Sequence, residues 1–274
     1  MRGSVFQGMF YPSSRPEIRK FVESSVKDAE IGEDVDGANA YVSPHAGYMY
    51  SGGTAAYTYR ALMENRKLKD ADSIVFVGPN HTGNGRPISV SMEDWETPAG
   101  KSLNDRKLSK EIAGSSEYID VDEEAHSGEH SIEVQLPFLQ CLAPEKKVSI
   151  ICMGDQGLKA SRILADAIIK ASESTRRNIL VIASSDFNHY ESAETARRKD
   201  MRLLDAAKSL DSAGIISLAG ETGDSACGIG PIAVAMLFAK HSGSKRGAVL
   251  KYSNSGYATK DYSSVVAYSS IAFV

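Results

Sequence analysis

Two uninterrupted apolar runs, Ser73-Ile74-Val75-Phe76-Val77-Gly78 and Ile179-Leu180-Val181-Ile182-Ala183, constrain the fold of this 274-residue chain more than any other feature. A strand with one face in water alternates apolar and polar residues. A run without alternation reads as a strand covered on both faces, which is how the strands of a parallel sheet with helices on either side are built. Val148-Ser149-Ile150-Ile151-Cys152-Met153 is a third run, and Ala40-Tyr41-Val42 a shorter one. Residues 87–92 read as a further strand. Between the strands lie segments with helical spacing, at 16–30, 52–63, 105–113, 158–171, 193–209 and 230–241. In 16–30, Pro16 suits a first turn and Ile18, Phe21, Val22 and Val26 form the apolar stripe. Residues 130–142 carry Ile132, Leu136 and Leu139 at helical spacing, but Pro137 should kink or shorten that helix. Residues 247–252 and 264–273 close the chain as strands, and an antiparallel pair there makes the sheet mixed. Strands alternating with helices predict an α/β fold: a single domain over residues 1–274, with a central, largely parallel or mixed sheet flanked by helices.

Bulk properties narrow the function. The 31 basic and 35 acidic residues leave a net charge of −4, with no basic block or aromatic-basic interleaving, so nucleic acid is not an expected partner. No apolar stretch reaches the ~20 residues of a membrane helix. The first residues, Met1-Arg2-Gly3-Ser4-Val5-Phe6, lack an apolar leader core. Three cysteines, an odd number, argue against a disulfide framework, and a cytoplasmic location is expected.

Ligands of open α/β sheets bind beyond the carboxyl ends of the strands. Three segments there carry chemistry: Ser43-Pro44-His45, Val77-Gly78-Pro79-Asn80-His81 and Ser184-Ser185-Asp186-Phe187-Asn188-His189. His45 reads as a metal ligand or a catalytic base, or as a loop histidine bonded to backbone. His81 sits in the same kind of place, and two neutral imidazoles are a common start to a transition-metal site. His189 is a candidate ligand or general acid/base. If its segment turns helically, Asp186 faces the same side and could orient an imidazole; otherwise Asp186 caps the next helix. Cys227, just before a helix from about 231, is a candidate ligand or nucleophile whose thiol a helix N-terminus would acidify. Cys141 and Cys152 lie in apolar segments and read as packing residues. Glu129 and Glu133 are either carboxylate ligands or bases, or favourable charge in a first helical turn. His130 is open between ligand and bystander. His126 and His241 are assigned no function.

Taken in order, these segments resemble the Memo family, named for a mediator of cell motility. The matching pieces are Gly8-Met9-Phe10-Tyr11-Pro12, Pro44-His45-Ala46-Gly47-Tyr48 with Tyr50-Ser51-Gly52, and Gly78-Pro79-Asn80-His81. They continue with Glu129-His130-Ser131-Ile132-Glu133, Ser184-Ser185-Asp186-Phe187-Asn188-His189, and Cys227-Gly228 with Pro231-Ile232. That family looks like the class III extradiol dioxygenases, which hold iron(II) with two histidines and a glutamate. The resemblance implies a similar fold, His45 and His81 as imidazole ligands, Cys227 in place of the glutamate, and His189 as the catalytic histidine. It also implies radical-SAM system proteins as partners. A thiolate is softer than a carboxylate and favours copper(I) or zinc, with iron still open, so ring-cleaving chemistry does not transfer with the fold.

Three readings follow. The first is a His45, His81, Cys227 metal site doing redox or oxygen chemistry on a small molecule, with His189 as acid/base oriented by Asp186. The second is a non-catalytic binder of a metabolite or peptide in the cleft. The third is a metal-free Cys/His hydrolase or transferase with Cys227 as nucleophile and His189 as base.

Overall fold

A computed structural model describes all 274 residues. Helix α1 (Arg15–Asp28) precedes strand β1 (Ala40–Ser43). A π-helical turn at Tyr48–Gly52 runs into α2 (Gly53–Glu64) and the short α3 (Lys67–Asp70). Then come β2 (Ser73–Pro79), β3 (Ile88–Ser91), the hairpin β4 (Trp95–Thr97) and β5 (Gly100–Ser102), α4 (Arg106–Ala113), β6 (Ile119–Val121) and α5 (Glu124–Ser127). A 3-10 turn at Glu133–Gln135 leads into α6 (Leu136–Leu142), followed by β7 (Lys147–Met153), α7 (Leu158–Thr175), β8 (Ile179–Ser184) and β9 (His189–Glu191). The chain ends with α8 (Ala193–Lys208), α9 (Ser212–Thr222), α10 (Ile229–His241), β10 (Gly247–Asn254), α11 (Gly256–Thr259) and β11 (Val265–Phe273).

The central sheet has nine strands in the order β10-β11-β1-β8-β2-β7-β3-β6, with β9 also on β11. Strands β1, β8, β2 and β7 are parallel. The sheet is mixed at both ends, because β3 runs antiparallel to β7 and β11 antiparallel to both β1 and β10. The expected antiparallel C-terminal pair is therefore present.

Alternate residues of one strand feed opposite cores. Val75 and Val77 pack on the side covered by α4, α7, α8 and α10, whereas Ile74 and Phe76 pack on the side of α1, α2 and α6. All four are fully buried, which is why this run shows no polar alternation. Burying a side chain such as Phe76 stabilises the fold by roughly 1.5–3 kcal/mol.

Pro137 falls in the first turn of α6, where its missing N–H costs nothing, so the helix is shortened rather than kinked. Residues 186–189 are not helical, since His189 opens β9 and the following helix is capped by Ser192. Helix α9 has no counterpart in the sequence reading. No helix of the chain is long and apolar enough to cross a membrane.

Candidate metal centre

His45, His81 and Asp186 each lie two residues beyond the carboxyl end of a strand, and the strands concerned, β1, β2 and β8, are neighbours. The parallel register of β1 on β8, which places Ser43 beside Ser184, thereby sets His45 beside Asp186. Asp186 Oδ1 accepts the backbone N–H of His45 at 2.8 Å and that of Ala46 at 3.4 Å. The expected pairing of Asp186 with His189 is not made. Without a helical turn the two do not share a face, and His189 Nδ1 instead lies 3.1 Å from Ser225 O. Asp186 therefore shapes the His45 loop. Burial pushes its carboxyl up to about 7, against the opposing pull of those two N–H groups.

Cys227 arrives from the other side, ahead of α10. Its N–H donates to Asp186 O at 3.2 Å, and Asp186 N–H donates to its Sγ at 3.3 Å. Gly228 permits this approach: a Cβ there would come within 2.6 Å of Ser185 Cβ and closer still to Ser184 O. Sγ lies 3.2 Å from His45 Nε2. The acidified thiol expected from the helix start is not found. Burial pushes the thiol well above its ordinary range, and the Asp186 carboxylate adds to the effect.

His81 is oriented by Glu129. Oε1 accepts its Nδ1–H at 2.9 Å and Oε2 its backbone N–H at 2.6 Å, while Ser131 N–H donates to Oε1 at 2.8 Å. Burial would raise Glu129, but these donors outweigh it and hold the carboxyl at about 2. Residues 129–132 reach β2 because Gly78 has no side chain; a Cβ there would sit 2.6 Å from Ser131 Oγ. Glu129 is thus the partner of a histidine and not charge in a helical turn.

One ligand atom from each of His45, His81 and Cys227 lies within 4.8 Å of the others. In a tetrahedral centre with metal–nitrogen and metal–sulfur bonds near 2.1 and 2.3 Å, neighbouring donors stand about 3.6 Å apart. The 3.2 Å between His45 and Cys227 needs only a small adjustment to meet that. The donor set of two imidazoles and one thiol suits a transition metal.

His130, left open by the sequence, joins the cluster. Its ring stacks on His81 at 4.6 Å between centroids and meets His45 edge-on at 5.3 Å, with Phe10 against it at 4.7 Å. Burial lowers its pKa to about 4, leaving it neutral near pH 7. His81, Glu129 and His130 form a second close group, but Glu129 is already committed to its three N–H donors. His189 and Asp186 line the same cleft of about 690 Å³, together with Met9, Phe10, Tyr50 and Tyr268.

Glu133 has a different role. It is fully buried and accepts from Arg2 Nη1 at 2.7 Å, Phe6 N at 2.8 Å and Tyr11 O–H at 2.7 Å, which fastens the N-terminal segment beside the cleft. His126 is buried against Ser89 O, and His241 ends α10 near Glu173, so neither approaches the site. Cys152 is buried and Cys141 half-buried, as packing residues should be.

A family model described as Memo-like protein matches residues 2–272. The chain belongs to the Memo family. The match spans the strand ends, the 129–133 segment and Cys227, so the whole cleft lies within it. A MEMO1 family protein of Desulfurococcus amylolyticus is 42% identical over 283 residues, covering 99% of this chain and 98% of that protein. Those of Methanosarcina acetivorans and Nitrosopumilus maritimus are 42% and 36% identical, covering 99% and 100% of this chain and 98% and 100% of their own. Among solved structures, an uncharacterized protein from Escherichia coli K12 superposes with a TM-score of 0.47 at 14% identity, covering 86% of this chain and 99% of its own.

Proposed function

We propose that this Memo-family cleft is a mononuclear transition-metal centre, with His45, His81 and Cys227 as ligands, acting on a small molecule. The observation that carries this reading is the convergence of the three ligand atoms within 4.8 Å of one another. Their chemistry suits copper(I), zinc or iron(II). Bound iron or copper would supply redox chemistry, and zinc Lewis acidity.

The chain's own residues then have separate tasks. Glu129 holds the His81 ring through Nδ1 and leaves Nε2 for a ligand. The bond from His189 Nδ1–H to Ser225 O leaves its Nε2 to take or give a proton in the cleft. Asp186, whose carboxyl burial raises to about 7, lines the cleft as a second group able to exchange a proton with a bound molecule. Phe10, Tyr50 and Tyr268 supply apolar wall surface against which that molecule would pack.

The Cys/His enzyme reading loses its footing on two counts: the Cys227 thiol is not acidified, and its imidazole neighbour is His45 rather than His189. The test is metal content after anaerobic purification and loading with iron(II) or copper(I). Wild type should retain close to one metal per chain, and His45→Ala and Cys227→Ser should lose most of it. Equal retention by the variants would refute the reading.

A further inference from the structure

The two imidazole ligands are backed by different chemistry. His81 leans on a carboxylate. His45 leans on a neutral hydroxyl, with its Nδ1 2.8 Å from Ser184 Oγ. Which of these two atoms donates is settled by counting protons in a pocket without room for ambiguity: Ser184, Gln135 and Ser131 are all buried.

The orientation of the Gln135 amide comes first. Its Nε2 lies 2.9 Å from Pro44 O, a pure acceptor, and its Oε1 lies 3.0 Å from the Tyr59 hydroxyl. The nitrogen must therefore face Pro44, and its other hydrogen points at Ser184 Oγ, 2.9 Å away. Ser184 Oγ also lies 2.7 Å from Ser131 O. A carbonyl cannot donate, so the single hydroxyl proton of Ser184 goes to Ser131 O. Oγ then has only lone pairs left. One accepts from Gln135, and the other can only accept from His45 Nδ1–H. The opposite nitrogen, Nε2, then carries the lone pair and faces Cys227 Sγ at 3.2 Å, where it can accept the thiol proton while no metal is bound.

We propose that Ser184, itself oriented by Gln135, is a positioning residue that fixes His45 as its Nδ1–H tautomer and so keeps the Nε2 lone pair in the cleft. The tautomer stands on hydrogen bonding alone; its use in metal binding rests on the ligand assignment above. The arrangement has a chemical consequence. An anionic partner makes His81 the more basic ligand, while a neutral partner orients His45 without adding negative charge to the centre.

The test uses full-length, metal-free protein labelled with 15N-histidine, and reads long-range 1H–15N correlations. The His45 signals are assigned by their loss in His45→Ala. Wild type should show the Nδ1–H pattern. Ser184→Ala should show averaging between tautomers, and Ser184→Thr, which keeps the hydroxyl, should restore the wild-type pattern. Iron(II) or copper(I) affinity should fall 10- to 100-fold in Ser184→Ala, the range for loss of such a partner, and recover in Ser184→Thr. A wild-type Nε2–H pattern overturns the proposal even if no variant folds. So does a Ser184→Ala protein with unchanged tautomer and affinity. If wild type binds neither metal, the metal-centre reading fails, while the spectrum still decides the proposal.

Discussion

Replacing Glu133 by Gln should release the N-terminal segment from the cleft. The carboxylate is fully buried, and Oε1 accepts from Val5 N, Phe6 N and Tyr11 O–H at 3.0, 2.8 and 2.7 Å. Oε2 takes the Arg2 guanidinium at 2.7 Å. An amide of the same size offers only one acceptor oxygen. Placed at Oε1 it keeps the first three donors, but its NH2 then confronts Arg2 Nη1, donor against donor. Breaking a buried pair on one side typically costs about 3–5 kcal/mol. Arg2 keeps its bonds to His126 O and Glu129 O and its stack on Trp95 at 3.9 Å, so the lower end, about 3 kcal/mol, applies. The Arg2 main chain stays paired with Asp94 O and Glu96 N–H, both at 2.9 Å, whereas beyond Glu133 the main bond from residues 4–11 to the rest of the chain is Tyr48 N–H to Phe10 O at 2.7 Å, so the loss should fall on local opening of that segment more than on global unfolding. Hydrogen exchange read by mass spectrometry is the assay. A loss of about 3 kcal/mol raises local opening on the order of 100-fold, so peptides covering residues 4–11 should lose protection by that factor while those in β2 and β8 keep theirs. Phe10 covers His130, so the imidazole should become more accessible to diethyl pyrocarbonate in the same variant. Unchanged protection over residues 4–11 would refute the reasoning.

Gly228→Ala should abolish metal retention and lower stability by roughly 2 kcal/mol or more, because the new methyl meets Ser185 Cβ at 2.6 Å and pushes Cys227 off Asp186; metal content and urea midpoints check it, and wild-type values for both would sink it. Asp200 is buried, receives Tyr252 O–H at 2.6 Å and Asn188 N–H at 3.1 Å, and is pushed up to about 8 by burial, with Asp224 adding to the rise. The folded chain holds this proton while the unfolded chain releases it near pH 4. The stability it contributes is therefore complete below about pH 4 and is lost as pH rises through about 8. Asp200→Asn should flatten that decline in a pH series of urea melts, and parallel wild-type and variant profiles would count against it. Tyr190 holds φ 62° while 78% exposed, a left-handed backbone with little side-chain packing to stabilise it. Tyr190→Gly should raise stability by up to about 1 kcal/mol, and a clear fall in Tm would show that the ring is held by contacts instead.

The sheet was legible because its central strands are long enough, and buried enough, to leave a pattern. The segments read at 73–78 and 179–183 are strands at Ser73–Pro79 and Ile179–Ser184. Strands β4, β5, β6 and β9 have three residues each, too few to show a period. Helix α9 escaped for another reason. Gly214 and Gly220 interrupt it, and only Ile215 and Ala219 are buried along its length. The strand-end residues His45, His81 and Asp186 could be picked out because their place follows from the sheet. Their partners could not. Glu129 reaches His81, and Gln135 reaches Ser184, across 48 and 49 residues of chain, and nothing local in 129–135 distinguishes a carboxylate under a histidine from one in a helical turn. The thiol was misjudged for the same reason, since a helix start is visible in sequence and burial beside a carboxylate is not.

That carboxylate also explains why a cysteine is suited to position 227. Cys227 is clasped to the Asp186 backbone in both directions, its main-chain N–H donating to Asp186 O at 3.2 Å and its side-chain Sγ accepting from Asp186 N–H at 3.3 Å. A carboxylate carried at 227 would share this buried corner with the Asp186 carboxyl, which burial already drives up to about 7. Two such acids cannot both ionise cheaply, so one would hold a proton and be a poor ligand. A thiol avoids the conflict: it stays neutral and small without a metal, and gives up its proton only when a cation arrives to replace it. The sheet register sets where His45 and Asp186 stand, and Asp186 in turn limits which ligand can stand opposite them. If the cleft holds a metal as proposed, the softer donor follows from that constraint, and with it a preference for softer metals.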